Sequence, residues 1–335
     1  MVQTKGETMR LKQLGGAAAA VLMIAACNGG DDGDGAGDVR AGGFSIMAPA
    51  DPGGGWDSTA RALQQAFGDS GLISGNVDVY NRPGAGGTIG LSEFVTDKDG
   101  QADQLMVMGL VMVGAIQTNQ APVGLDRVTP IASLTAEYEA LVVRADSKYQ
   151  TVEQLVDDFR ADPRSISWGG GSAGGTDHIL VGLIAEAVGA DSAGINYIAH
   201  SGGGEALASI LSGGVTVGVS GISEFEDQVA AGELRFLAVS SPEPVGHVEA
   251  PTLMGAGIDV ELANWRGLVA PGGITSEERD ELVTLVEEVV ASRGWQDVLE
   301  ANGWDPFVHT GDEFDTFLTD EAVRVAGVLE RVGLT

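Results

Sequence analysis

The stretch WGGGSAGGTDHILVGLIAEAVG, residues 168–189, runs from a tryptophan through clustered glycines into an apolar helical pattern. It fits three unrelated motifs. Gly169, Gly171 and Gly174 spell the G-x-G-x-x-G of dinucleotide sites, and Gly170, Ser172 and Gly174 spell the G-x-S-x-G of a hydrolase nucleophile elbow. Residues 169–176 would make a phosphate loop if Gly175 were lysine, and its absence removes that reading. A dinucleotide site wants an acid about 20 residues on, at the end of the next strand. Here Asp191 precedes the strand-like INYIA. An elbow enters its helix at once, but Ala173, Gly174 and Gly175 separate Ser172 from the expected N-cap, Thr176. The remaining reading is structural and chemical together: strand, glycine loop and helix start form one wall of an anion site.

The same design recurs in PADPGGGWDSTARAL, NRPGAGGTIGLSEF and AHSGGGEALASIL. Glycine lets the backbone approach a ligand closely or take positive φ. A helix N-terminus adds free N–H groups and roughly half a positive charge. Short apolar runs, among them FSIMAP, VDVYN, QLMVMGLVMV, SISWG, INYIA, VTVGVSG and LRFLAVSS, alternate with helical patterns. That alternation predicts an α/β fold with largely parallel sheets and helices on both faces. IASLTAEYEALVVRADS lacks helical spacing, so the chain is expected to cross between two lobes near Val143 and to return near Trp265. Lobe 1 would comprise residues 44–142 and 266–335, and lobe 2 residues 143–265. The C-terminal part reads as three helices, the first opened by a Thr275–Glu278 capping box.

Arg10 and Lys12 precede the uncharged residues 14–26, LGGAAAAVLMIAA, which are too short to span a bilayer and fit a signal-peptide h-region, with Met9 the more natural start. The run ends at Ile24, Ala25, Ala26 and Cys27, the pattern of a bacterial lipobox in which the cysteine is lipidated. Residues 1–27 are therefore expected to be a signal peptide with lipobox, and the Gly/Asp-rich residues 28–43 a flexible linker. Cys27 is the single cysteine, which forbids a disulfide within the chain. Removing residues 1–26 takes away Lys5, Arg10, Lys12 and Glu7, moving the net charge from −30 to −32. Such a surface repels nucleic acid and anionic headgroups. Four scattered histidines and no C-x-x-C or H-E-x-x-H offer no metal constellation, and no cofactor is expected.

PGGGWDSTAR, NRPGAGGTIG, SWGGGSAGGTDH, INYIAHSGGGEAL, AAGELRFLAVSSPE and NWRGLVAP occur in this order after Phe44. The chain thereby resembles the extracytoplasmic solute receptors of the tripartite tricarboxylate transporters. The resemblance implies a two-lobed Venus-flytrap that binds a small tricarboxylate or dicarboxylate, such as citrate, through loops of both lobes. It also implies a partner, a two-subunit membrane transporter. The first loop departs from the common PPGGSTD by carrying Trp56 before Asp57. On this reading Gly53, Gly54, Gly55 and Trp56 face the ligand, and Asp57 caps the following helix or lies beside the ligand. Ser172, Ala173, Gly174, Gly175 and Thr176 supply donors from lobe 2, with His178 orienting the loop. Tyr197, Ser201, Gly202 and Ser220 complete the edge, and Arg82 stands at the rim. The protein would be a receptor and not an enzyme, exported and lipid-anchored through Cys27. A secreted serine hydrolase with Ser172 as nucleophile is the alternative, and a receptor signalling to a sensor kinase is a third.

Overall fold

The described part of the chain opens with strand β1 (Phe44–Ala48), then helix α1 (Gly55–Ser70), β2 (Val77–Asn81), α2 (Thr88–Asp97) and β3 (Gln104–Gly109). Both β2 and β3 pair with β1 in parallel, as strands joined through helices do. The computed structural model describes residues 42–200 and 203–335. The expected signal peptide with Cys27, the linker as far as residue 41, Ser201 and Gly202 lie outside those residues.

The run QLMVMGLVMV, which reads as one apolar segment, is divided. Strand β3 ends at Gly109 and helix α3 (Leu110–Thr118) starts at once. An unbroken apolar run has no period to tell buried strand from buried helix. Glycine is needed at 109 because strand β9 passes close by: a Cβ there would stand 2.4 Å from the Trp265 carbonyl oxygen.

Strand β4 (Val128–Arg144) follows, then α4 (Val152–Ala161), β5 (Ser167–Gly170), α5 (Thr176–Val188), β6 (Asn196–Ala199), α6 (Gly203–Leu211), β7 (Val217–Gly221), α7 (Ile222–Ala230) and β8 (Leu234–Val239). The chain closes with β9 (Ala263–Pro271), α8 (Ser276–Val290), α9 (Arg293–Asn302), β10 (Asp305–Pro306) and α10 (Gly311–Arg331). The strand order is β2-β1-β3-β9-β4-β7-β5-β6. As far as Tyr138, β4 pairs antiparallel with β9; from Glu139 it pairs antiparallel with β7, and from Ala140 with β8 as well. One long strand therefore belongs to two sheets. The outer strands are parallel, whereas β9 and β4 run antiparallel through the middle, so the sheets are mixed and not largely parallel.

Trp168, Trp265, Trp295, Phe67, Phe94 and Phe159 are fully buried. Each contributes on the order of 1.5–3 kcal/mol through apolar burial. The capping box at α8 is present: the Thr275 hydroxyl accepts from the Glu278 N–H, and the Glu278 carboxylate accepts from the Thr275 N–H at 2.8 Å.

Candidate functional site

Residues 168–170 of the opening stretch are β5, and its glycines have a packing cause. A Cβ on Gly170 would lie 2.5 Å from the Tyr197 hydroxyl and 2.8 Å from the Asp177 side chain. The loop then turns at Gly174, with φ of 76°, and enters α5 with Gly175 as N-cap. Thr176, expected at the cap, is one residue inside the helix.

The loop is tied down by its own acceptors. Asp177 Oδ2 accepts from the Gly171 N–H at 2.6 Å, and His178 Nδ1 accepts from the Gly174 N–H at 3.3 Å. The imidazole stacks on Tyr197, with ring centroids 4.0 Å apart and 5° between planes. The Tyr197 hydroxyl donates to the Gly171 carbonyl at 3.0 Å. Burial pushes the His178 imidazole down to about 4. It is neutral at pH 7, as an accepting Nδ1 requires. His200 Nδ1 lies 3.0 Å from the Gly170 carbonyl, and neither of these imidazoles bonds to Ser172.

A cavity of about 220 Å³ opens beside this loop. Ser172, Gly175, Thr176 and Asp177 form one wall, and Ser220, Gly221 and Glu224 form another where β7 gives way to α7. Glu137 and Glu139 of β4 line it, with Val111 of α3 and Asn264 of β9 completing it from the other sheet. The helix α3 and the glycine loop approach closely: a Cβ on Gly114 would meet the Gly174 carbonyl oxygen at 2.3 Å.

Residues 53–57 do not line this cavity. Helix α1 starts at Gly55 with Gly54 as N-cap, so Asp57 is the third helical residue and not the cap. Its Oδ2 accepts from the Gly53 N–H and from Arg61, each at 2.9 Å, and its Oδ1 accepts from Asn81 at 2.8 Å. Trp56 packs over Gly87, where a Cβ would meet its ring at 2.6 Å. Arg266 links this loop to the cavity. Its guanidinium lies against Gly55, pairs with Glu137 and stacks over Trp304, whose indole N–H donates to Glu137 Oε1 at 3.0 Å. Arg82, expected at the rim, instead pairs with Glu93 on an exposed surface at 2.8 Å.

The sequence pattern described as the tripartite tricarboxylate transporter family receptor matches residues 60–334. The chain belongs to this receptor family. It is 27% identical over 299 residues to the protein BugT of Bordetella pertussis, covering 87% of this chain and 89% of that one. A TctC solute binding protein from Polaromonas superposes with a TM-score of 0.73 at 24% identity, over 86% of this chain and 98% of the other. MatC from Rhodopseudomonas palustris, solved with bound malate, superposes with a TM-score of 0.67 at 19% identity, over 86% and 98%. The architecture is thus the two-lobed periplasmic-binding-protein fold. Among the described residues, no helix is long and apolar enough to cross a membrane.

The cavity is acidic, lined by Glu137, Glu139, Asp177 and Glu224. Glu139 is held well above the usual carboxylate range by burial first and then by Asp177, Glu137 and Glu224. Burial likewise pushes Asp177 up to about 7, opposed by the Gly171 N–H. Glu224, at the water-facing rim, is raised by partial burial and by Glu137, against a hydrogen bond from Ser220. The structure therefore brings Ser172, Gly175, Thr176 and Ser220 together at the cavity, sets Gly174, His178 and Tyr197 behind it, and leaves Ala173 and residues 53–57 outside its walls. Sequence reasoning missed Glu137, Glu139, Asp177, Glu224 and Arg266. A signal existed: TAEYEALVV and NWRGLV put charges in strands otherwise fit for burial.

Proposed function

We propose that this receptor captures a small organic carboxylate outside the cytoplasmic membrane and presents it to a tripartite-type secondary transporter with two membrane subunits. The observation that carries the reading is that α5 and α7 both begin at the wall of one cavity. The first-turn N–H groups of a helix have no intrahelical partner, and each N-terminus carries about half a positive charge. Hydroxyls of Ser172, Thr176 and Ser220 add donors. Family membership and the malate bound by MatC support the carboxylate class.

In this reading lobe 1 comprises residues 44–142 and 266–335 and lobe 2 residues 143–265, and the change of partners along β4 at Tyr138 and Glu139 supports a hinge close by. The loop of residues 53–57 reaches the ligand when the lobes approach. The protein binds and releases without catalysis. Cys27 carries a lipid that keeps the receptor at the membrane.

Thermal denaturation with malate, citrate and other small carboxylates tests the central claim. A ligand at 100-fold its Kd adds about 2.7 kcal/mol of stability, a shift of several degrees for a chain this size. Unmoved melting curves across the series overturn the carboxylate reading. For the anchor, Cys27→Ser should shift the protein from the membrane to the soluble fraction, and unchanged partitioning with no lipid in the wild type refutes it.

A further inference from the structure

The cavity wall carries more negative charge than its neighbours compensate. Glu137 is fully engaged, its two oxygens held by Arg266 and by the Trp304 indole. Asp177 has only backbone donors, the Gly171 N–H and its own, and Glu224 has the Ser220 hydroxyl. Glu139 is different. Its residue is 1% exposed, it lines the cavity, and its Oε2 has no hydrogen-bond partner. Thr176, 3% exposed and in the same cavity, has an unpartnered buried hydroxyl oxygen. A carboxylate oxygen can only accept, so the unpartnered Glu139 oxygen points to a ligand that brings a donor, while the Thr176 hydroxyl can serve either end of it. The neighbouring cleft, which shares Glu137 and Ser223 with this cavity, adds Glu226, Glu300 and Asp305. Arg266, beside the cavity, gives Nη2 to Glu137 and keeps a buried Nη1 without a hydrogen-bond partner, but it does not line the cavity.

We propose that the captured solute carries a positively charged nitrogen, an amino or trimethylammonium group, that sits against Glu139 with Asp177 and Glu224 flanking it. This rests on the receptor reading above and narrows it: the ligand's carboxylate meets the N-termini of α5 and α7, and its nitrogen meets the β4 wall. The solute is then an amino acid or a betaine and not a simple dicarboxylate. Among the described residues, no three of His, Cys, Asp and Glu are grouped closely enough to hold a metal ion.

Proton linkage follows from the same groups. Facing Glu139 are Glu137 on its own strand, Asp177 on α5, Glu224 on α7, Tyr197 on β6 and Arg266 on β9. Burial and the neighbouring acids favour the protonated form of Glu139 in the free receptor, and an arriving cation favours its ionised form. Binding of such a ligand releases protons and strengthens as pH rises; binding of a dianion does the reverse.

The test is calorimetry on the full chain with matched probes: succinate against aspartate, glutarate against glutamate, and glycine betaine and putrescine as further cations. At least one nitrogen-bearing probe should bind tenfold or more tightly than its dicarboxylate partner, or than succinate for betaine and putrescine. Enthalpies in two buffers of different ionisation heat should report proton release. Glu139→Gln, which keeps the side-chain volume, should weaken that probe at least tenfold and leave or improve the dicarboxylates. Glu224→Gln at the wet rim, where folding is not at stake, should act in the same direction but less. Dicarboxylates binding more tightly, with proton uptake, overturn the inference and leave the receptor reading standing. Putrescine binding with no carboxylate binding keeps the nitrogen site and overturns the carboxylate reading. Flat titrations throughout overturn both.

Discussion

In the loop before α1, Asp57 accepts the Gly53 N–H at 2.9 Å; in the loop before α5, Asp177 accepts the Gly171 N–H at 2.6 Å. Each aspartate sits in the first turn of its helix and folds back to close a glycine loop. Their surroundings differ. Arg61 and Asn81 join Gly53 around Asp57, and the Arg61 hydrogen bond leads in holding its carboxyl down to about 2. Asp177 has only backbone donors, the Gly171 N–H and its own, and lies among buried acids, and burial lifts it to about 7. The same backbone device thus yields a fixed charge in one lobe and a titratable one in the other. What separates them is the burial around Asp177 and the Arg61 guanidinium beside Asp57, not the local turn.

The sharpest way to break the comparison is at the glycines. Gly53 and Gly174 both have positive φ, 86° and 76°, but a Cβ at Gly53 meets open space while one at Gly174 meets the Thr118 methyl at 2.5 Å. Gly174→Asp adds that clash and a like charge beside Asp177. It should abolish ligand binding and cost about 2–4 kcal/mol of stability, with the fold retained by circular dichroism. Gly53→Ala, the control, carries backbone strain alone, about 1–2 kcal/mol. Equal losses from the two substitutions would show that the loop before α5 is not closely packed.

Asp177→Asn sharpens the electrostatic half. An aspartate with a folded value near 7 and an unfolded one near 3.8 adds stability that is complete below pH 3.8 and is lost as pH rises through 7. Asparagine keeps an acceptor for Gly171 and carries no charge. The variant should therefore gain on the wild type between pH 4 and pH 8, by at most about 4 kcal/mol. Melting temperatures across that range read it directly, and a constant difference means that Asp177 is ionised throughout.

Much of this was legible in the sequence for reasons that can be named. Glycines followed by helix starts located both loops, the capping box at Thr275 fixed the start of α8, and the absence of helical spacing in residues 131–147 marked the strand that serves both sheets. The helix α3 was hidden because Leu110 continues an apolar run without changing its period. The charges of the cavity were hidden more deeply. TDH contains Asp177 in plain view, but nothing local says that Glu139, 38 positions earlier, faces the same space, or that Arg266 pairs with Glu137. Burial and pairing are tertiary facts, and they decide which acids can hold a ligand.

Asp57→Asn should give the smallest effect and the opposite pH trend. Asp57 lies below its unfolded value of 3.8, so its contribution is present above that pH and fades as pH falls toward 2. At pH 7 the substitution should cost about 1–2 kcal/mol, less than the full shift implies because Arg61 is half exposed and its charge is screened by water and salt. The loss should shrink between pH 4 and pH 2, and high salt should reduce it. Ligand affinity should change little, since asparagine can still accept the Gly53 N–H and keep the loop in place. If this substitution instead stabilised the chain as pH rose, in the manner expected of Asp177→Asn, the two loops would be electrostatically alike, and the contrast drawn from Arg61 and Asn81 would fall.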